Sequence, residues 1–135
     1  MRRLLVLPAV LLAAAGFVAS GDEAPRDPQL ANIVGACSPS ENGAVQPPVI
    51  RMRRIDNVVW RSASPNVASW VITPKEAGDW PFAAAFHAGN QQAGADSGLP
   101  TEGAEAERAY RYNVTITCAN GSTEVIDPEI IIGDG

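Results

Sequence analysis

Residues 110–126 read Tyr110-Arg111-Tyr112-Asn113-Val114-Thr115-Ile116-Thr117-Cys118-Ala119-Asn120-Gly121-Ser122-Thr123-Glu124-Val125-Ile126. From Tyr110 to Cys118 every second side chain is aromatic, aliphatic or cysteine, and every one between is polar. A period of two places the two sets on opposite faces of an extended chain, so this is a strand with one face on a core. Asn120-Gly121 tolerates positive φ at both positions, the strongest short hairpin signal. Residues 122–126 therefore return as its partner strand. Asp127-Pro128 ends the pairing because proline has no N–H for a ladder, and residues 129–132 (EIII) give a last short strand.

The same rhythm runs upstream. Residues 49–53 (VIRMR) alternate, with Ile50 and Met52 inward and Arg51 and Arg53 on the opposite face. Asp56-Asn57 marks a turn before a strand at 58–61 (VVWR), and after a second turn residues 68–73 (ASWVIT) place Trp70 and Ile72 together. Residues 74–79 are a tight connection, and 80–86 a further apolar strand-like segment. Trp60, Trp70 and Trp80 lie ten apart, a spacing that fits the strand-and-turn repeat of layered all-β folds. Residues 87–107 carry Gly, Ala, Gln and acids without a strand signal, and read as a long loop, either a flexible insertion or a binding loop. A short helix over 102–109 is the one helical segment the composition allows. The expected fold is an antiparallel β-sandwich of about seven strands.

The ending Y-x-Y-x-V-x-I-x-C-x-N-G, continued by I-D-P-x-I-I-I and preceded by S-W-x-I-x-P-K and W-P-F, resembles small exported bacterial proteins of immunoglobulin-like or cupredoxin-like shape. The resemblance covers residues 58–82 and 110–132. It implies a fold and a compartment, and assigns no functional residue.

The N-terminus points to the same compartment. Met1-Arg2-Arg3 is followed by an almost wholly apolar run to Val18, and Val18-Ala19-Ser20 offers small or aliphatic residues at the −3 and −1 positions. This is the layout of a secretory signal peptide, residues 1–20, cleaved after Ser20. The run is interrupted by Pro8 and Gly16 and is too short for the ~20 residues of a membrane span. Residues 21–32, charged and aperiodic, read as a flexible leader, and 33–135 as one domain. The expected location is periplasmic or secreted. Ten basic and fifteen acidic residues give a net charge of −5, and losing Arg2 and Arg3 makes it −7. So acidic a chain is a poor match for nucleic acid, whose non-specific binding depends on a positive field.

Cys37 and Cys118 are the only cysteines. In an exported chain an even pair reads as a disulfide. Two buried thiols or a metal site are the competing readings, though neither C-x-x-C nor a nearby histidine supports metal. A cupredoxin shape raises the question of copper. A type 1 site takes two histidines, a cysteine and usually a methionine; His87 is the only histidine, and Met52 the only methionine beyond residue 20. No cofactor is expected. His87 is also the one histidine base available to a catalytic triad, but no G-x-S-x-G accompanies it, and it reads as a solvent-exposed residue at a strand end. Asp96, Glu102, Glu105 and Glu107 gather oxygen donors in the 87–107 loop without the spacing of a calcium loop.

Arg51, Arg53 and Arg54, with Arg61, form the basic patch, read either as protection of a strand face or as a site for an anionic or partner surface. The functional expectation is a non-catalytic binding or interaction module with a protein or glycan partner. Its candidate contact surfaces are this patch and the 87–107 loop. The alternatives are a small carboxylate- or divalent-metal-dependent enzyme using that loop, and a subunit assembling by strand-edge pairing.

Overall fold

The computed structural model describes residues 28–133. The expected signal peptide and most of the leader lie outside the described residues. The ten strands are β1 (Gln29–Val34), β2 (Ala44–Gln46), β3 (Val49–Met52), β4 (Val58–Ser62), β5 (Val67–Pro74), β6 (His87–Asn90), β7 (Ala95–Asp96), β8 (Ala109–Cys118), β9 (Thr123–Ile126) and β10 (Glu129–Ile132). They form two sheets, β2-β1-β4-β7 and β3-β10-β8-β5-β6, with β9 also paired to β8. Among the described residues there is no helix; of the expected helical segment 102–109, residues 102–108 form turns and a bridge, and Ala109 begins β8.

The β-sandwich is as the alternation requires, and its centre is the strand that decided it. Tyr110, Tyr112, Val114, Ile116 and Cys118 of β8 all point into the core, with Trp70 and Ile72 of β5 on one side and Ile130 and Ile132 of β10 on the other. From the facing sheet Ile33, Val45, Val58 and Trp60 complete the layer. β9 and β10 lie along one side of β8, separated by the Asp127-Pro128 break. The Asn120-Gly121 turn closes the β8–β9 hairpin with Gly121 at φ 90°, a conformation that favours glycine.

Three features depart from the sequence reading. The sheets are mixed: β1 pairs parallel with β4, and β3 parallel with β10. After β2, Pro47 and Pro48 carry the chain from one sheet to the other, so the next strand joins a distant partner and not its neighbour. Second, β1 starts at Gln29, inside the expected leader, and buries Ala31 and Ile33. Third, residues 80–86 form no strand, only a bridge from Phe82 to Pro100, whereas the 87–107 segment supplies β6 and β7. β6 is positioned by Trp70, whose indole covers Gly89 so closely that an added Cβ would lie 2.2 Å from its ring.

Cys37 and Cys118 are joined by a disulfide, with Cα atoms 5.5 Å apart. It fastens the turn after β1 to the end of β8, and so ties the two sheets together at one end of the sandwich. Glu124 adds a second tie there by accepting the Cys37 and Gly43 N–H groups at 2.8 and 3.0 Å.

Candidate functional site

The opposite end of the sandwich gathers three connections: residues 53–57 before β4, 75–86 after β5, and 97–108 before β8. They meet because Met52 ends beside Ile132 in one sheet, Val58 starts the facing strand only six residues later, and the Ser97 N–H bonds the Val58 carbonyl at 2.8 Å. Each connection raises one large apolar side chain into solvent. Ile55 is 51% exposed, Phe86 61% and Leu99 59%.

The backbone beneath these side chains is cross-tied. The Arg54 guanidinium donates to the carbonyls of Thr101 (3.4 Å) and Ala104, which fastens the first loop to the third. The Thr101 N–H donates to the Pro81 carbonyl at 2.8 Å, beside the Phe82–Pro100 bridge, and so fastens the third to the second. Asp56, buried, takes the Arg53 N–H at 2.9 Å and two guanidinium contacts at 3.2 Å. Asp96 accepts from the Asn57 amide at 2.9 and 3.0 Å and from the Gly98 N–H at 2.9 Å. Ser97 Oγ accepts the Val58 N–H and donates to the Gly98 carbonyl. Arg108 pairs with Asp79 and lies 4.0 Å over the Tyr110 ring. Its hydrogen bond holds the Asp79 carboxyl below its ordinary range.

Under the 75–86 connection lies an aromatic nest. Trp60, Trp80 and Phe82 surround His87 with ring centroids at 5.4, 6.2 and 6.0 Å. Tyr112 completes it, accepting the Trp60 indole N–H at 3.2 Å, and burial pushes its phenol well above the usual range. His87 is only 8% exposed, and neither ring nitrogen makes a hydrogen bond of good geometry. The expectation of a solvent-exposed histidine is therefore corrected. As the first residue of β6 its side chain shares the inward parity of Gly89, opposite Trp70. Burial lowers its pKa from 6.5, partly offset by the Ser97 backbone and the Asp96 charge.

Of the two contact surfaces expected from sequence, the arginines at 51–54 and residues 97–107 of the loop meet at this end, whereas β6 runs away from it and Gln91 lies 3.3 Å from Ser62 Oγ, at the end of β4. Arg51 pairs with Glu107 at 3.3 Å, Arg53 with Asp56, and Arg54 with backbone carbonyls. Arg53 and Arg54 act as staples and Arg51 as half of an exposed ion pair, while Arg61 lies on β4 in the other sheet. Asp96, Glu105 and Glu107 likewise have separate partners in Asn57, Arg108 and Arg51. Among the described residues, the one cluster close enough for a metal is Cys37, Cys118 and Glu124. Its two sulfurs are bonded to each other, which leaves no thiolate to ligate. Beside that disulfide a groove of about 510 Å³ is lined by Ser38, Asn66, Asn120, Ser122 and Glu124.

Sequence reasoning missed Ile55 and Leu99 because single apolar residues within polar loops are common and carry no periodic signal, and Phe86 because it ends the apolar segment 80–86 that reads as a strand. Their significance lies in being brought to one end, which only the long-range pairing determines. No protein-family profile matches the chain, and a search of curated proteins finds no match.

Proposed function

We propose that this chain is an exported, non-catalytic binding module whose partner, a protein, docks on the end formed by residues 53–57, 75–86 and 97–108. The observation that carries the reading is the exposure of Ile55, Phe86 and Leu99 on three separate loops at that one end. Loops held by a rigid sandwich are a common location for recognition. Large apolar side chains are the usual anchors of protein interfaces, and they leave water only if a partner covers them. The cross-ties support the same reading, because a loop already fixed in place loses little entropy on binding. The disulfide is compatible with an extracellular or periplasmic protein, the compartment we assign to it.

The size of the effect follows from exposure. Fully burying one such side chain contributes about 1.5–3 kcal/mol, and these three are already near half covered, so together they offer roughly 3 kcal/mol. That is about a hundredfold in affinity. The test is photo-crosslinking in the producing cell, with the reactive residue at Phe86, at Leu99, or at Asn120 on the opposite end. Adducts of one defined mass from Phe86 and Leu99, absent from Asn120, are expected. Equal labelling at all three positions, or none, would refute the proposal.

A further inference from the structure

We propose that His87 is a proton-operated latch on this loop end: neutral, it holds residues 80–86 and 97–101 against the sandwich, and protonated, it releases them. This inference deepens the binding reading above and rests on it for its biological use.

The geometry is specific. The imidazole is nine-tenths buried under Trp80 and Phe82, in the connection that carries Phe86, and against Trp60 of β4. A neutral ring fits an apolar nest, with the Ser97 backbone as its polar contact. An imidazolium has two N–H groups and a full charge, and burying these unpaired is far more costly. The groups facing the ring offer only partial relief: the Ser97 backbone favours the charged form, but one backbone acceptor cannot satisfy both N–H groups of an imidazolium. β4 contributes the Trp60 ring, β5 the apolar Trp70 and Ile72, and the 80–86 segment Trp80 and Phe82. β8 contributes Tyr112, whose hydroxyl already accepts from Trp60. On β7 the Asp96 carboxylate favours the charged ring, but both its oxygens accept from the Asn57 amide.

Protonation therefore favours any state in which the ring reaches water. The segment most easily moved is the one above it. Residues 80–86 belong to no strand, and their connection to the third loop is the Phe82–Pro100 bridge and the bond from the Thr101 N–H to the Pro81 carbonyl. β6 pairs on one side only, with β5. Local opening of such a segment costs less than global unfolding. Because Phe86 adjoins His87, and Leu99 adjoins Pro100, release would displace two of the three exposed anchors.

The test is amide hydrogen exchange on the purified chain from pH 7.5 to 5, corrected for the intrinsic pH dependence of exchange. Residues 80–101, with the Thr101 amide as reporter, are expected to exchange up to tenfold faster for each pH unit below about 6.5. The Ala119 amide, bonded to the Asn66 carbonyl at the far end, serves as the unchanged reference. His87→Phe keeps a ring in the nest and cannot titrate, so it should abolish the response. Should that variant not fold, Asp96→Asn removes the charge that favours the buried imidazolium, so the response should begin at the same pH and extend further to lower pH. Exchange in residues 80–101 that does not respond to pH, or that responds equally in His87→Phe, would overturn the latch. The measurement uses no partner. A failed crosslink at Phe86 with an intact pH response therefore removes the binding reading alone, and the converse removes the latch alone.

Discussion

Opening the Cys37–Cys118 crosslink should cost this protein a large share of its stability while leaving its folded structure nearly unchanged. The bond closes a loop of 81 residues, most of the described chain. For a loop of that length, chain-entropy arithmetic gives about 4.5 kcal/mol at 25 °C, against the ~5–15 kcal/mol that typically holds a domain folded. The effect belongs to the unfolded chain, which the crosslink keeps from expanding. In the folded protein the same turn stays pinned by Glu124, which accepts the Cys37 and Gly43 N–H groups, and by Ser64, whose hydroxyl accepts the Ala36 N–H at 2.9 Å. The Cys37→Ala/Cys118→Ala double variant and the wild-type protein in excess dithiol should therefore agree within about 1 kcal/mol, the allowance for a little lost packing. Both should melt roughly 15–20 °C lower. Guanidinium titration should also show a steeper dependence on denaturant, because the uncrosslinked chain exposes more surface on unfolding. A loss under about 2 kcal/mol with an unchanged slope would refute the reasoning, since the crosslink would then not be restricting the unfolded chain.

Glu124→Ala leaves the Cys37 and Gly43 N–H groups without their acceptor, and should cost about 1–3 kcal/mol in denaturant titration; Glu124→Gln, which keeps one carbonyl oxygen, should recover part of it. Gly89→Ala forces a Cβ against the Trp70 ring and 2.7 Å from the Ala93 carbonyl oxygen, so it should destabilise by about 1–3 kcal/mol and shift the near-ultraviolet signal of the tryptophans. In contrast, Gly121→Ala meets no neighbour and should cost only the ~1 kcal/mol of its left-handed backbone. Because the folded-state pKa of His87 lies below 6.5, its contribution to stability is fully present above about pH 6.5 and is lost as pH falls towards the folded value, at up to ~1.4 kcal/mol per unit. Stability curves of wild type and His87→Phe should thus run parallel above pH 7 and converge or cross below it.

What could be read from the sequence was what a short stretch of chain decides for itself. The β8–β9 hairpin is such a case: nine strictly alternating residues, then Asn120-Gly121, determine both the buried face and the turn. Ile50, Met52, Trp70 and Ile72 follow for the same reason. β6 and β7 could not be read this way, since His-Ala-Gly-Asn and Ala-Asp have little strand preference of their own. Pairing with β5 and β4 makes them strands, and strand propensity is largely set by such neighbours. β1 was obscured because a partly exposed Leu30 and a buried Ala31 reverse the pattern that its burial follows. The two parallel joints depend on a crossing between sheets that no local pattern records. His87 was misplaced because facing in or out depends on register, and a shift of one residue inverts it.

The arginines determine what kind of binding end this is. A basic patch on an acidic protein invites an anionic ligand, but such a ligand needs donors that are free. Arg53 is held by a buried carboxylate and Arg54 by two carbonyls. Taking either away removes charged donors from a buried carboxylate or from the loop carbonyls, a loss that a surface phosphate or carboxylate would have to exceed. Arg51 is the more exposed and more weakly held, through a surface pair of the kind that contributes 0–1 kcal/mol. The positive charge at this end is therefore mostly invested in the shape of the loops. Their tips are left to apolar contact, where three side chains held in fixed positions can discriminate by spacing. Recognition of that kind would weaken little with salt, whereas an anion site would weaken steeply. The salt dependence of partner binding is thus the property on which the two uses of Arg51, Arg53 and Arg54 differ most.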